Sequence, residues 1–322
     1  MYVSLVSVSI AGGDSTSTTM NVFAQETEPE TKDGLWFQAS PSHAPDVELA
    51  SFSTIELAWG ETTTLPANNA EIGVAAIGTD MYLVGGNPNG ANVYKFDTLT
   101  NTLTQLSNLP YSAYGIGVTS YGTDLYIFGG RPTSGTKAYD YAYKYDTLND
   151  TYTQLTSMPY ISGQTPIVRK GTDIYLIGGH TGSGVHANMY KYDILTDTYT
   201  KLTDLPSGRN AASTILYKND IYILGGYRSV NLKEMWKYSI NDNTYTRLSD
   251  SPYAAYGMAA GLYSRYIVFA TGASSKLAYA YSILTDTYIP LPEMTSGRQR
   301  TSGIVIGDKF YVVGGTSNKD IT

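Results

Sequence analysis

Residues 78–86 read GTDMYLVGG, and residues 93–110 read VYKFDTLTNTLTQLSNLP. The first phrase is an apolar, β-branched run behind a polar turn, closed by glycines that tolerate a tight bend. The second alternates apolar and polar residues on either side of an Asp/Thr/Asn turn, the pattern of a hairpin. Both recur. GTDLYIFGG (122–130), GTDIYLIGG (171–179), KNDIYILGG (218–226), SRYIVFATG (264–272) and IGDKFYVVGG (306–315) repeat the first phrase. YAYKYDTLNDTYTQLTSMP, NMYKYDILTDTYTKLTDLP, EMWKYSINDNTYTRLSDSP and LAYAYSILTDTYIPLPEMT repeat the second.

The spacing decides the architecture. From Pro66, Pro110, Pro159, Pro206 and Pro252 to the next glycine pair is 19 residues, and Thr295 stands in the same place in the sixth copy. From Asp97, Asp146, Asp193, Ser239 and Ser282 to the next corner is 13 residues each time, whereas glycine pair to Asp/Ser varies between 11 and 17. A fixed scaffold with one variable loop per unit predicts a radial array of four-stranded blades. Six glycine-pair hairpins are followed by only five second hairpins. Counting back 13 from Pro66 reaches Ser53, with Phe52 in the place of Phe96 and Tyr145, and Trp59 in that of Leu103, Tyr152 and Tyr199. The expectation is therefore an all-β, six-bladed propeller over 46–322. Residues 47–65 would supply strands c and d of a blade whose strands a and b are 298–315, hiding the edges a linear array would expose.

The repeated phrases resemble the kelch repeat: a glycine pair, a Tyr-Asp step, an aromatic six residues later, then a Leu/Met-Pro corner. The resemblance covers about residues 46–316. It departs from the pattern where most blades carry Tyr or Leu in place of Trp, and where Thr271-Gly272 replaces a glycine pair. Neither departure threatens the fold. The resemblance implies a kelch propeller, and relatives of that kind include copper oxidases that need a cysteine-crosslinked tyrosine, which this chain cannot make.

Of the 322 residues only 15% are charged, while 32 are Gly, 30 Tyr and none Cys. Disulfides and thiolate metal sites are excluded. The composition fits a reducing compartment, or a particle assembled in a bacterial cytoplasm and released. A net charge of −7 argues against nucleic acid as a partner. No run approaches the roughly 18 apolar residues of a membrane helix. MYVSLVSVSIAGG at the N-terminus alternates like a strand and lacks a basic start, so no signal peptide is read.

Strands running from channel to rim place the b–c loops and d–a corners on one face. The variable b–c loops make that face the candidate site. Reading the start of strand a across the blades gives an expected channel mouth of Glu71, Tyr114, Gln164, Arg209, Tyr256, Arg298 and Arg300, with Arg131 and Tyr227 in the adjoining loops. Arginines beside one acid and two phenols suit a carboxylated or phosphorylated saccharide. A channel lined by polar groups around water is the plainer alternative. Tyrosines recurring with the blade period (Tyr82, Tyr126, Tyr175, Tyr222, Tyr311 and the Tyr145 and Tyr143 sets) are expected to pack between blades, unlike Tyr139, Tyr141 and Tyr227. His180 and His186 share a loop with no third ligand, so no metal or other cofactor is expected. The Asp-Thr-Leu-Thr-Asn turns read as side-chain-to-backbone turns rather than calcium sites.

Residues 1–45 fall outside the repeat and read as a short N-terminal β segment. QETEPETKDGLWFQ resembles N-terminal segments of tail appendage proteins in phages and phage-derived particles of Gram-positive bacteria. That resemblance implies attachment to other tail or baseplate proteins through 1–45, a virion or extracellular-particle location, and a propeller presented to a host-surface glycan. The plainer alternative is a small strand pair on the propeller rim. The anchor would enter from the side of the binding loops, so the opposite face is a second candidate. Three functions stand side by side: a non-enzymatic receptor-binding propeller, with homo-oligomerisation left open; a mutarotase-like sugar-acid enzyme using Glu71, Arg209, Arg298 and Arg300; and a cytosolic protein-interaction module.

Overall fold

The computed structural model describes residues 19–21, 58–60, 62–66, 69–88, 90–135, 137–316 and 320–321. Every described element of regular structure is a β-strand. No helix among them is long and apolar enough to cross a membrane, which says nothing of a β-barrel.

Five four-stranded antiparallel sheets follow one another along the chain. Blade 1 holds Gly73–Ile77, Asp80–Val84, Val93–Asp97 and Thr102–Leu106, which are strands a to d from channel to rim. Blade 2 starts at Gly117–Tyr121, blade 3 at Ile167–Lys170, blade 4 at Ser213–Tyr217 and blade 5 at Ala259–Tyr263. The b strands are buried along almost their whole length, as in Asp80–Val84 and Asp220–Leu224. That explains their near-continuous apolar runs: both faces meet a neighbouring blade. The d strands, such as Thr151–Gln154, are largely exposed and read as polar alternation.

Six such blades were expected, and five are found. The sixth sheet is built differently. Ser302–Ile306 pairs with Lys309–Val313 as predicted for strands a and b. The strand against the other edge of Lys309–Val313, however, is Thr19–Asn21, with Met20 opposite Phe310. Trp59–Gly60 pairs with Thr19 and Met20 in turn. Val313 also faces Ile321, and Asp320–Ile321 pairs with Thr63–Thr64. Two short strands from opposite ends of the chain thus lie where residues 47–65 were expected to supply strand c. The stretch 47–57 itself lies outside the described residues. Trp59 does reach the anticipated neighbourhood: its indole Nε1 donates to the Pro292 carbonyl at 2.8 Å, and its ring lies 6.4 Å from that of Phe310.

The same bond recurs at other seams between sheets. Tyr152, Tyr199, Tyr245 and Tyr288 donate to the carbonyls of Ser107, Thr156, Thr203 and Ser249, each three residues before a corner. Beside each lies an acceptor in the c–d turn. Asp197 takes bonds from its own blade's Tyr192 hydroxyl (2.7 Å) and from Thr156 of the preceding blade. Asp150, Asn243 and Asp286 repeat the arrangement. The periodic tyrosines are seam fasteners, and the c–d turns are held by bonds such as Leu99 N to Asp97 Oδ1.

The glycine pairs follow from the same seams. Gly85 has φ +66, and a Cβ there would stand 2.6 Å from the Ala113 carbonyl of the next corner. At Thr271 a threonine takes this conformation, φ +67, fully buried and hydrogen-bonded to Thr301 Oγ1 at 2.6 Å.

Candidate functional site

The corners deliver one residue from each repeat to the axis. Counted from the corner residue (Pro66, Pro110, Pro159, Pro206, Pro252, Thr295), the fifth residue onward is Glu71, Gly115, Gln164, Ala211, Gly257 and Arg300. All six have left-handed φ between +49 and +62. They form a circle of backbone hydrogen bonds: Gly115 N to Glu71 O, Gln164 N to Gly115 O, Ala211 N to Gln164 O and Gly257 N to Ala211 O. Thr301 N to Gly257 O and Glu71 N to Arg300 O complete it, and all six bonds measure 2.6–2.9 Å. Pairings such as Tyr114 with Arg131 and Asn210 with Tyr227 tie the corners to the b–c loops, so the two share one face as predicted. Below the ring runs a channel of about 190 Å³, with Val74, Val118 and Ile167 on its wall.

Three of the ring side chains are polar, and they meet. Glu71 Oε1 accepts from Gln164 Nε2 at 2.6 Å and lies 3.2 Å from Arg300 Nε. The chain continues from Asn210, whose amide donates to Gln164 Oε1. Glu71 Oε2 is buried without a hydrogen-bond partner among the described residues. Burial pushes the Glu71 carboxyl above its ordinary range, and Arg300, Gln164 and Arg131 pull the other way without prevailing. Two guanidinium–phenol pairs flank this centre: Arg131 lies 5.6 Å from the Tyr114 ring and Arg300 6.0 Å from that of Tyr256. Tyr227, 37% exposed, packs its ring 5.6 Å from Tyr256.

Arg209 and Arg298 are not at the mouth, contrary to expectation. They stand three residues after the corner, not five, and that position is buried in all six repeats: Asn69, Ala113, Ser162, Arg209, Ala255, Arg298. Its side chain enters the seam between blades. Arg209, fully buried, pairs with Glu234 and donates to the Gly225 carbonyl at 3.1 Å. Burial works against the Glu234 carboxylate, yet Trp236 and Arg209 hold it below its usual range. The sequence reading also missed Asn210. Counting every corner from its proline would have separated the seam arginines from the mouth and brought Asn210 beside Tyr114 and Tyr256, all at the fourth position.

The two histidines, expected in one loop, instead lie in the paired strands Asp173–His180 and Val185–Asp193, and each is engaged locally. His180 Nδ1 accepts from Gly182 N at 2.9 Å, and His186 Nε2 lies 3.0 Å from Ser162 Oγ. No group of three or more His, Asp or Glu able to hold a metal ion occurs among the described residues. Tyr139 and Tyr141 stack on each other at 4.8 Å and both meet Tyr111 edge-on, at 5.4 and 5.1 Å, in the same loop as Arg131.

Comparison with known proteins fits this geometry. Residues 71–272 match the family described as the KLHDC2/KLHL20/DRC7 Kelch-repeats domain. No curated protein matches the chain. Among solved structures, the one titled "Structure of YjhT" superposes with a TM-score of 0.72 at 15% identity, covering 80% of this chain and 94% of that one. That likeness concerns the fold alone. The chain belongs to the kelch-repeat family.

Proposed function

We propose that this kelch-repeat protein is a non-enzymatic binding propeller whose corner and b–c loop face holds a polar, hydroxyl-rich or acidic ligand, a host-surface glycan above all. The carrying observation is the mouth: two arginines backed by tyrosine rings converge on a buried carboxylate that keeps one oxygen unpartnered. Guanidinium forks and aromatic faces are suited to carboxylate and sugar-ring contacts. The channel volume of about 190 Å³ falls below the roughly 300–1,000 Å³ of enclosing small-molecule sites, which favours a ligand lying across the mouth. The sugar-acid enzyme alternative drew on Glu71, Arg209, Arg298 and Arg300; of these Arg209 and Arg298 are buried at the corners, and Arg209 is paired with Glu234.

In the same proposal the sixth sheet closes the ring as its sixth member, and residues 1–45 attach the protein to a phage-like tail. Support for closure comes from the unbroken circle of axial hydrogen bonds and the Trp59–Pro292 bond; support for attachment comes from the QETEPETKDGLWFQ phrase. Binding of the full chain to a glycan array and to host cell walls tests the reading. Wild type should bind, and Arg131→Ala/Arg300→Ala should bind at least tenfold more weakly while melting like wild type. Absence of binding to either target, or binding indifferent to both arginines, would refute it.

A further inference from the structure

Charge is divided between the two faces. The five c–d turns, counted with the Asp or Ser that opens each, carry seven aspartates and not one Lys or Arg. The five b–c loops on the opposite face carry Arg131, Lys137, Arg228, Lys233 and Lys276 against Asp140 and Glu234, and the d–a corners of that face add Arg209, Arg298 and Arg300 against Glu71, Asp204, Asp250 and Glu293. Glu234 is already taken by Arg209. The a–b turns add Lys218, Arg265 and Asp308 to the face of the c–d turns, and Asp80, Asp124, Asp173 and Asp220 are each paired with a c-strand lysine at 3.0–3.8 Å, so that face stays net acidic.

The loop cations are placed for contact. Lys137, Arg228, Lys233 and Lys276 are exposed, on blades 2, 4 and 5, around the half-buried Arg131 and Arg300 at the mouth. Lys233 faces Asp250 at 3.4 Å and Arg228 faces Glu234 at 4.0 Å. No repeat-wide structural need accounts for these cations, since the b–c loops of blades 1 and 3 have neither Lys nor Arg in them. A single small anion would satisfy the mouth and leave Lys137 and Lys276 unused. A chain with charges at intervals would reach both, and the acidic opposite face would repel it.

We propose that the corner and b–c loop face is a docking surface for an anionic polymer, a chain bearing repeated phosphodiester or carboxylate groups. Its charge sits across the mouth and extends over the loops of blades 2, 4 and 5. This rests on the reading of that face as the binding face and names its ligand class.

The test measures binding of the full chain to three immobilised probes: poly(glycerol phosphate), polygalacturonate and neutral dextran. Binding to one or both anionic probes is expected, with the stronger distinguishing phosphate from carboxylate chemistry. It should weaken about tenfold between 0.05 and 0.3 M NaCl, because exposed charges are screened over that range. Lys137→Glu/Lys276→Glu should weaken it about tenfold, whereas Lys218→Glu on the opposite face should not; melting curves confirm that each variant folds. Equal binding to dextran, salt-indifferent binding or an unaffected Lys137→Glu/Lys276→Glu variant would overturn the polymer proposal while leaving the binding face standing. Binding to none of the three probes would overturn the polymer proposal too, and the glycan array would then decide whether the face binds at all.

Discussion

Asp197 offers the sharpest test of what joins one blade to the next. Its carboxylate accepts from the Tyr192 hydroxyl at 2.7 Å and from Thr156 N and Oγ1 at 3.1 and 2.9 Å, and its backbone has φ +52. Removing the carboxylate strands the hydroxyl of Tyr192, a fully buried residue, at about 1–3 kcal/mol for an unmet buried donor. The Thr156 groups are exposed and rehydrate, so they add about 0.5 kcal/mol. Alanine in a left-handed conformation costs about 1 kcal/mol more than glycine there. Asp197→Ala should therefore destabilise by about 3 kcal/mol and Asp197→Gly by about 2. Asp197→Asn should cost less than about 1, because blade 4 performs the same task with Asn243, which accepts from Tyr238 and Thr203 at 2.7 and 2.9 Å. Urea unfolding of the full chain reads these differences as midpoint shifts at constant slope. An alanine variant within about 0.5 kcal/mol of wild type, or an asparagine variant as weak as alanine, would refute the account of the seam.

Two further outcomes follow from the buried groups. Arg209→Ala should destabilise by roughly 3 kcal/mol, since it breaks an ion pair whose arginine is fully buried; ligand affinity of the folded protein should stay unchanged, which separates Arg209 from Arg300. His186 is held down to about 4, first by burial and then by the Lys201 and His180 charges. Its folded pKa lies below the unfolded value of about 6.5, so the unfolded chain takes up the proton first and stability falls as pH drops from about 6.5 towards 4. His186→Gln should flatten that part of the melting-temperature profile; an unchanged slope over the window would count against it.

The blade scaffold was readable because spacing reports backbone geometry directly: 19 residues from corner to glycine pair and 13 from Asp to corner leave little freedom to misplace a strand. Strand c of the sixth sheet was not. Thr19–Asn21 and Asp320–Ile321 are too short to show a periodic signal, and the pairings of Thr19–Asn21 with Lys309–Val313 and of Asp320–Ile321 with Thr63–Thr64 span most of the sequence. The site was half legible. Glu71, Gln164 and Arg300 meet as anticipated, and Tyr114 and Tyr256 flank them. Arg209 and Arg298 were misplaced because similarity of type, arginine near the start of strand a, was weighed above position.

That position follows a volume rule visible in the letters. At five of the six corners one large side chain follows, either at the first place after the corner residue or at the third; the first corner has Ala67 and Asn69 at these places. Tyr111, Tyr160 and Tyr253 are followed at the third place by Ala113, Ser162 and Ala255; Ser207 and Ser296 are followed by Arg209 and Arg298. Two large groups in one seam would overpack it, and two small ones would leave a cavity. The ring at the fifth place is built from backbone hydrogen bonds, and two of its places exclude a side chain: a Cβ would stand 2.7 Å from Gln164 Cγ at Gly115 and 2.7 Å from Arg300 Cα at Gly257. The other four places hold Glu71, Gln164, Ala211 and Arg300. A place with room for a side chain that the backbone ring does not need is free to serve a ligand, and at this axis three of the four such places, Glu71, Gln164 and Arg300, are polar and joined through Glu71.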